Sequence, residues 1–408
     1  MTDKKNVFFV EPNKQWVLEN IHIEKIFREF DKGGITEVYD LKMYHYINVY
    51  VKSISRVLYF YLKQFFLKRD SSICLHPSSI TVNSNRGGYE ISKIKKLFDV
   101  NDSCNYQING FDLTDCMRVN KISLKDFLVS FHQSMQVYFS VLKSNLPKGV
   151  HKAILRYSYI NTSSYSFFDI FFYKIKKINP DCIIYSSGVP LSSYAAIRNG
   201  LKVINFYHGL MSKIDLNVYP RYSEIYVYSD EEKKYLENID IGSIVRVYPF
   251  KETKHYNRSV IIFLPTSISG YIETEEFSNL IGLFKRHNYK VFFKRHPLKS
   301  SWSIQTWKEK FNFEKVVNGE DAVTVMQDIC PSFVVGWTST ALCEASNMKI
   351  IPISLSNLLD KKDIGTLDIF PFQNRSILWP SEKNMIYDVI TKKTRDSYSE
   401  TLEKLRLR

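Results

Sequence analysis

Two short stretches of the 408-residue chain gather groups able to hold an anion. Tyr289 to Ser300 reads YKVFFKRHPLKS, an apolar run that ends on Lys294, Arg295 and His296. Pro297 stops that strand, because it has no N–H to give to a ladder. Ser332 to Ala345 reads SFVVGWTSTALCEA, a second apolar run that ends on Thr338, Ser339 and Thr340, where a helical pattern opens. Cationic donors suit phosphate or carboxylate oxygens. Hydroxyls beside the unsatisfied N–H groups of a helix N-terminus suit the same charge. Glu344, one helical turn after Thr340, is spaced to accept hydrogen bonds from ribose hydroxyls. Each feature alone has a plainer reading: Ser339 or Thr340 as a helix cap, and His296-Pro297 as a turn. Together, in successive strand–helix units, they point to a phosphate site.

Missing motifs narrow the chemistry. There is no G-x-G-x-x-G and no G-x-x-x-x-G-K-[ST], which argues against a dinucleotide enzyme and a P-loop NTPase. No D-x-D triplet follows a strand where a metal-dependent sugar transferase needs one, so no metal site is expected. The triplet Asp230-Glu231-Glu232 does follow a strand-like run, EIYVYS. It reads first as the acidic first turn of a helix, with Ser229 and Glu232 spaced as a capping box.

Strand ends of this kind meet only if the strands lie parallel in one sheet. Ser259 to Pro265, Tyr289 to Pro297, Ser332 to Thr340 and Lys349 to Ser354 read as short buried strands. Helical stretches from Thr274 to Asn288 and from Thr340 to Met348 lie between them. Such alternation predicts an α/β fold with a covered parallel sheet. The preceding region has the same habit, with strands in Asp181 to Gly188, Lys202 to Gly209 and Glu224 onward. Residues 1–150 read only as a mixed α/β layer. The expected organisation is two Rossmann-like domains, over 1–250 and 259–382, with Pro249 to Arg258 as linker. A C-terminal helix over 383–408 is expected to cross back to the first domain.

An apolar fraction of 44% is ample for buried cores and excludes a mainly disordered chain. Lys and Arg total 56 against 42 Asp and Glu, so the net charge of +14 favours an anionic partner. The N-terminus lacks a signal-peptide pattern, which predicts a cytoplasmic protein. Ile47 to Asp70 is helical and apolar but carries Lys52, Arg56 and Lys63, a poor membrane span. It reads as a core-packing helix or a basic amphipathic surface helix. The six cysteines show no zinc-binding spacing and are expected to be reduced thiols.

The strand ending in Arg295-His296-Pro297, followed by one ending in Gly336-Trp337-Thr338-Ser339-Thr340, resembles the nucleotide-binding half of GT-B glycosyltransferases. The His-Pro and Ser/Thr arrangement is similar to that of bacterial sialyltransferases and Kdo transferases. Phe206 to Leu210, FYHGL, resembles the His-Gly segment of capsule and teichoic-acid polymerases. The whole is most similar to the β-Kdo transferase module of bacterial O-antigen and capsule polysaccharide synthases, over roughly the last half of the chain. This resemblance implies two Rossmann-like domains facing each other across a cleft, a CMP-Kdo donor, and no metal or cofactor. It implies transfer with retention to a surface-glycan acceptor on a lipid carrier, with peripheral contact at the inner face of the bacterial inner membrane. By position, His296, Ser339 and Thr340 then hold the CMP phosphate, and Lys294, Arg295 and Arg156 are candidate anion partners. His208 contacts sugar or leaving phosphate, or is a core histidine. Asp230 is the nucleophile of a double displacement, or only complements a helix dipole.

Three other readings compete: a CMP-sialic acid transferase, a CDP-glycerol glycerophosphotransferase with His208 as base, and a catalytically dead sugar-binding module. A nucleic-acid partner is not expected, because Lys and Arg are dispersed and no recognition motif is present.

Overall fold

The computed structural model describes residues 43–67, 77–83, 88–100, 105–109, 113–119, 122–142, 148–187, 191–207, 221–238, 241–253, 256–264, 274–295, 311–317, 321–337, 339–358, 375–392 and 395–406. The chain divides into two compact units. The first comprises Met1–His208, Ile214–Tyr226 and Tyr235–Arg246; the second comprises Gly209–Lys213, Val227–Lys234 and Val247–Arg408.

In the first unit, helix α1 (Met43–Phe66) precedes β1 (Ser79–Asn83), α2 (Gly88–Leu97), β2 (Asn105–Asn109), α3 (Thr114–Val119), α4 (Leu124–Leu142) and α5 (Lys148–Ile178). Then come β3 (Ile183–Ser187), α6 (Leu191–Arg198), β4 (Lys202–Phe206), β5 (Glu224–Val227), α7 (Asp230–Asn238), of which Asp230–Lys234 belong to the second unit, and β6 (Ile244–Val247). The sheet order is β2-β1-β3-β4-β5-β6, and β1 pairs in parallel with both β2 and β3. The order therefore reverses between β1 and β3. Helix α5 presents Phe167, Phe168, Phe171, Phe172 and Ile175 to the core, which is the spacing of one helical face. Phe127 of α4 meets Phe167 edge-on at 5.6 Å. Asp169 is buried but satisfied: Ser130 Oγ donates to it at 2.8 Å and Asn199 Nδ2 at 3.0 Å. Helix α1 packs through Val49, Val57 and Phe60. Its buried Gln64 donates to Ile122 O at 2.8 Å and accepts from Ile122 N at 2.9 Å, which is why a polar residue is tolerated there.

The second unit contains β7 (Asn257–Phe263), α8 (Glu275–Arg286), β8 (Lys290–Lys294), β9 (Lys315–Val317), α9 (Ala322–Ile329) and β10 (Pro331–Gly336). These are followed by α10 (Thr340–Asn347), β11 (Ile351–Ser354), β12 (Ile377–Leu378), α11 (Lys383–Lys392) and α12 (Arg395–Arg406). The order β12-β11-β10-β7-β8-β9 is that of a doubly wound dinucleotide-type fold, reversing between β7 and β10. Helix starts follow local chemistry. Thr274 caps α8 by accepting from Phe277 N at 3.3 Å, and Asp321 caps α9 by accepting from Val323 N at 2.9 Å. The end of the chain is two helices where one was expected. Ile386, Val389, Ile390 and Leu405 from these helices join the core built on Val260, Phe333 and Ile351. Tyr398 OH donates to Ser332 O at 2.6 Å and accepts from Ile351 N at 3.0 Å, fastening α12 to β10 and β11. Among the described residues no helix is long and apolar enough to cross a membrane.

Candidate functional site

At the point where a doubly wound sheet reverses, neighbouring crossovers leave toward opposite faces and open a crevice beyond the carboxyl ends of the strands. In the second unit that point lies at β7 and its neighbours. Phe263 of β7 pairs with Lys294 of β8, and Ile262 pairs with Val335 of β10. The ends of β8 and β10 thus flank β7, two strand spacings or about 10 Å apart. Leu264 N donates to Lys294 O at 2.9 Å, extending the ladder to the rim. Lys294 is only 3% exposed, and its Nζ donates to Arg295 O at 3.1 Å.

Across β7, Gly336 and Trp337 lead into α10. A side chain at Gly336 would bring its Cβ to 3.3 Å from Leu342 Cδ1, so the glycine lets the strand end lie against the first turn of the helix. Ser339 is the N-cap, with extended backbone, and its Oγ accepts from Ala341 N at 3.3 Å. Ser339 and Thr340 are half-buried, and Glu344, on the same helix, is buried. The second unit therefore brings Lys294, Arg295, Ser339 and Thr340 to one edge of one sheet. His296, Pro297, Thr338 and His208 lie outside the described residues. Arg156 lies within α5 of the first unit, and its side chain is outside the described set.

The same edge holds groups that the sequence reading passed over. Ser354 Oγ, at the end of β11, accepts from Ser356 N at 3.2 Å and has Ser356 Oγ at 2.9 Å and Trp337 O at 3.3 Å within reach of its single hydrogen. The indole Nε1 of Trp337 is buried without a partner among the described residues. The repeated Ser in ISLS, directly after a strand-like run, was the available signal. In the first unit, the hydroxyls of Ser187 at the end of β3 and of Ser192 and Ser193 in the first turn of α6 are likewise buried without partners among the described residues. They lie at the carboxyl edge of that sheet, beside its own reversal.

Asp230 stands elsewhere. Ser229 and Glu232 form the expected capping box: Ser229 Oγ accepts from Glu232 N at 3.2 Å, and the Glu232 carboxylate accepts from Ser229 N at 3.1 Å and Tyr228 N at 2.7 Å. Asp230 is exposed and lines an open cavity of about 440 Å³ with Tyr248, Phe250, Glu252, Asn347, Lys349 and Arg375. Lys349 pairs with Glu252 at 3.4 Å, and Arg375 Nε donates to Glu231 at 2.7 Å. Asn347 ends α10 and Lys349 precedes β11, so this cavity lies at the amino edge of the second sheet. Asn347, the last residue of α10, lines this cavity with Asp230, whereas Ser339 caps the opposite end of that helix, whose eight residues span about 12 Å. Burial, with Glu232 and Glu344 nearby, pushes the thiol of Cys343, on the same helix, well above its ordinary value, which disfavours the reactive thiolate. Cys116, Cys182, Cys330 and Cys343 are free thiols, and burial raises Cys182 to about 12.

No family model matches the chain, and no curated protein matches it. Among solved structures, the wall teichoic acid polymerase TagF with CDPG aligns over 89% of this chain and 93% of its own, at 11% identity and a TM-score of 0.47. The S. aureus MnaA-UDP co-structure aligns over 80% and 90%, at 11% identity and a TM-score of 0.41. A glycosyltransferase from Rickettsia africae ESF-5 aligns over 80% and 92%, at 11% identity and a TM-score of 0.41. At this level of likeness the architecture stands on the chain's own strand order and pairing: an α/β protein with two doubly wound parallel sheets.

Proposed function

We propose that the chain is a glycosyltransferase of the GT-B type that moves Kdo from CMP-Kdo to a bacterial surface-polysaccharide acceptor, with the CMP phosphate held at the carboxyl edge of the second sheet. The observation that carries this reading is the placement of Lys294 and Arg295 on one side of β7 and the N-terminus of α10 on the other. A phosphate between them would meet the half-buried Arg295 from one side and backbone N–H groups from the other, with the charge of the buried Lys294 adding attraction from within the strand end. Negative charge grows on the leaving CMP as its bond to the sugar breaks, and donors already aimed at that phosphate favour departure without reorganising.

The anomeric carbon of such a donor is joined to the phosphate through a single oxygen. A carboxylate nucleophile must therefore stand beside the phosphate, whereas Asp230 lies at the far end of α10. The proposal accordingly rests on donor binding and leaving-group stabilisation and leaves the nucleophile unassigned. Incubation with CMP-Kdo in the absence of acceptor, followed by peptide mass spectrometry, tests the covalent route. A sugar mass on the Asp230 peptide that is absent in Asp230→Asn would restore Asp230 to the mechanism.

A thermal-shift panel of CMP, UDP, CDP-glycerol and a short oligonucleotide tests the reading as a whole, because a ligand of the folded state raises the melting temperature. CMP is expected to stabilise and UDP is not. Stabilisation by CDP-glycerol in preference to CMP would move the assignment to polyol-phosphate transfer. Stabilisation by the oligonucleotide alone would overturn it.

A further inference from the structure

Helix α1 has a second apolar face that the described residues of the first unit leave exposed. Val49, Val57, Phe60 and Gln64 form the packed side. Ile47, Val51, Leu58 and Leu62 follow one another at helical spacing along the opposite side, and each is between 42% and 56% exposed. Phe66, at the end of the helix, is 86% exposed. From Ile47 to Leu62 the stripe runs about 22 Å. It continues sideways: Tyr50, itself partly exposed, meets Phe131 of α4 at 5.9 Å, and the exposed Leu128 lies one turn before Phe131.

Two features decide what covers this face. Half the circumference of the helix is committed to the unit, so a groove that wraps a helix is ruled out and a flat surface fits. The charge has one sign: Met43 to Phe66 contains no Asp or Glu, and its basic residues are Lys52, Arg56 and Lys63. A second copy of this helix would meet like charge, and the chain as a whole carries +14. We propose that the outer face of α1 rests on an anionic membrane surface, lying in its plane, with Ile47, Val51, Leu58 and Leu62 in the boundary between headgroups and acyl chains. This placement does not depend on the donor reading, because it is measured without nucleotide.

The experiment is co-sedimentation of the full chain with phosphatidylcholine vesicles, with and without phosphatidylglycerol. Binding is expected with phosphatidylglycerol and is expected to weaken with salt. The pair Leu58→Gln and Leu62→Gln should reduce the bound fraction at least about tenfold while the melting temperature stays at the wild-type value, since both positions are exposed. As an independent readout, Leu58→Trp should shift its emission to the blue when phosphatidylglycerol vesicles are added. Wild-type protein that remains in the supernatant overturns the proposal, and so does a double variant that binds as well as wild type. A concentration-dependent dimer in sedimentation velocity, broken by the same pair, also overturns it by assigning the face to a second copy.

Discussion

Ser339 shows how one side chain serves two ends. Its hydroxyl accepts from Ala341 N as a cap, so Ser339→Ala is expected to cost about 0.5–2 kcal/mol of stability. If the adjoining N–H groups also hold the donor phosphate, CMP affinity measured by calorimetry on the same folded variant falls too. Loss of stability with unchanged CMP affinity would leave Ser339 as a cap alone. Ser193 poses the opposite case. Its hydroxyl is buried without a partner among the described residues, and an unsatisfied buried hydroxyl costs about 1–3 kcal/mol. Ser193→Ala is therefore expected to raise the melting temperature of the ligand-free protein. A fall would show that the hydroxyl is satisfied in solution.

At the scale of elements, Glu224 ties three neighbouring strands. It sits on β5, with Lys202 Nζ of β4 at 3.0 Å and Arg246 Nε of β6 at 3.0 Å. Burial acts to raise its carboxyl, the hydrogen bonds and charges of Lys202 and Arg246 act to lower it, and the net effect is a value below the ordinary one. A carboxyl depressed on folding contributes stability above its unfolded value and loses it as pH falls through its folded value. Thermal melts of wild type and Glu224→Gln should thus differ by a constant gap at neutral pH, and that gap should close only in acid below the usual carboxylate range. A gap that persists in strong acid would mean that Glu224 acts through packing.

At the scale of the whole molecule, the net charge of +14 predicts how any anionic partner binds. The affinity for CMP should weaken modestly as ionic strength rises, because part of the attraction is screened. A nucleic-acid binder behaves differently: neutralising several phosphates gives a steep logarithmic dependence on salt, with a slope of roughly −0.7 per phosphate for single strands. Titrating CMP and an oligonucleotide at two salt concentrations separates the two cases, and a steep slope for the oligonucleotide at tight affinity would contradict the small-molecule reading.

Much of the second unit is local in origin and was therefore legible. The strand-like runs ending at Phe263, Lys294 and Gly336, the helices after Thr274 and Ser339, and the capping box of Ser229 and Glu232 all rest on short-range periodicity and cap chemistry. The hydrophobic pattern shows that β7, β8 and β10 are buried but carries no information about which is neighbour to which. Strand order is a long-range property, decided when the crossovers pack on opposite faces of the sheet. It set the ends of β8 and β10 on either side of β7, and it set Asp230 at the other end of α10. Helix α1 makes the same point from its composition. Its apolar residues surround the axis, so only the packing of α4 and α5 decided that Val57 and Phe60 lie inside while Leu58 and Leu62 face outward.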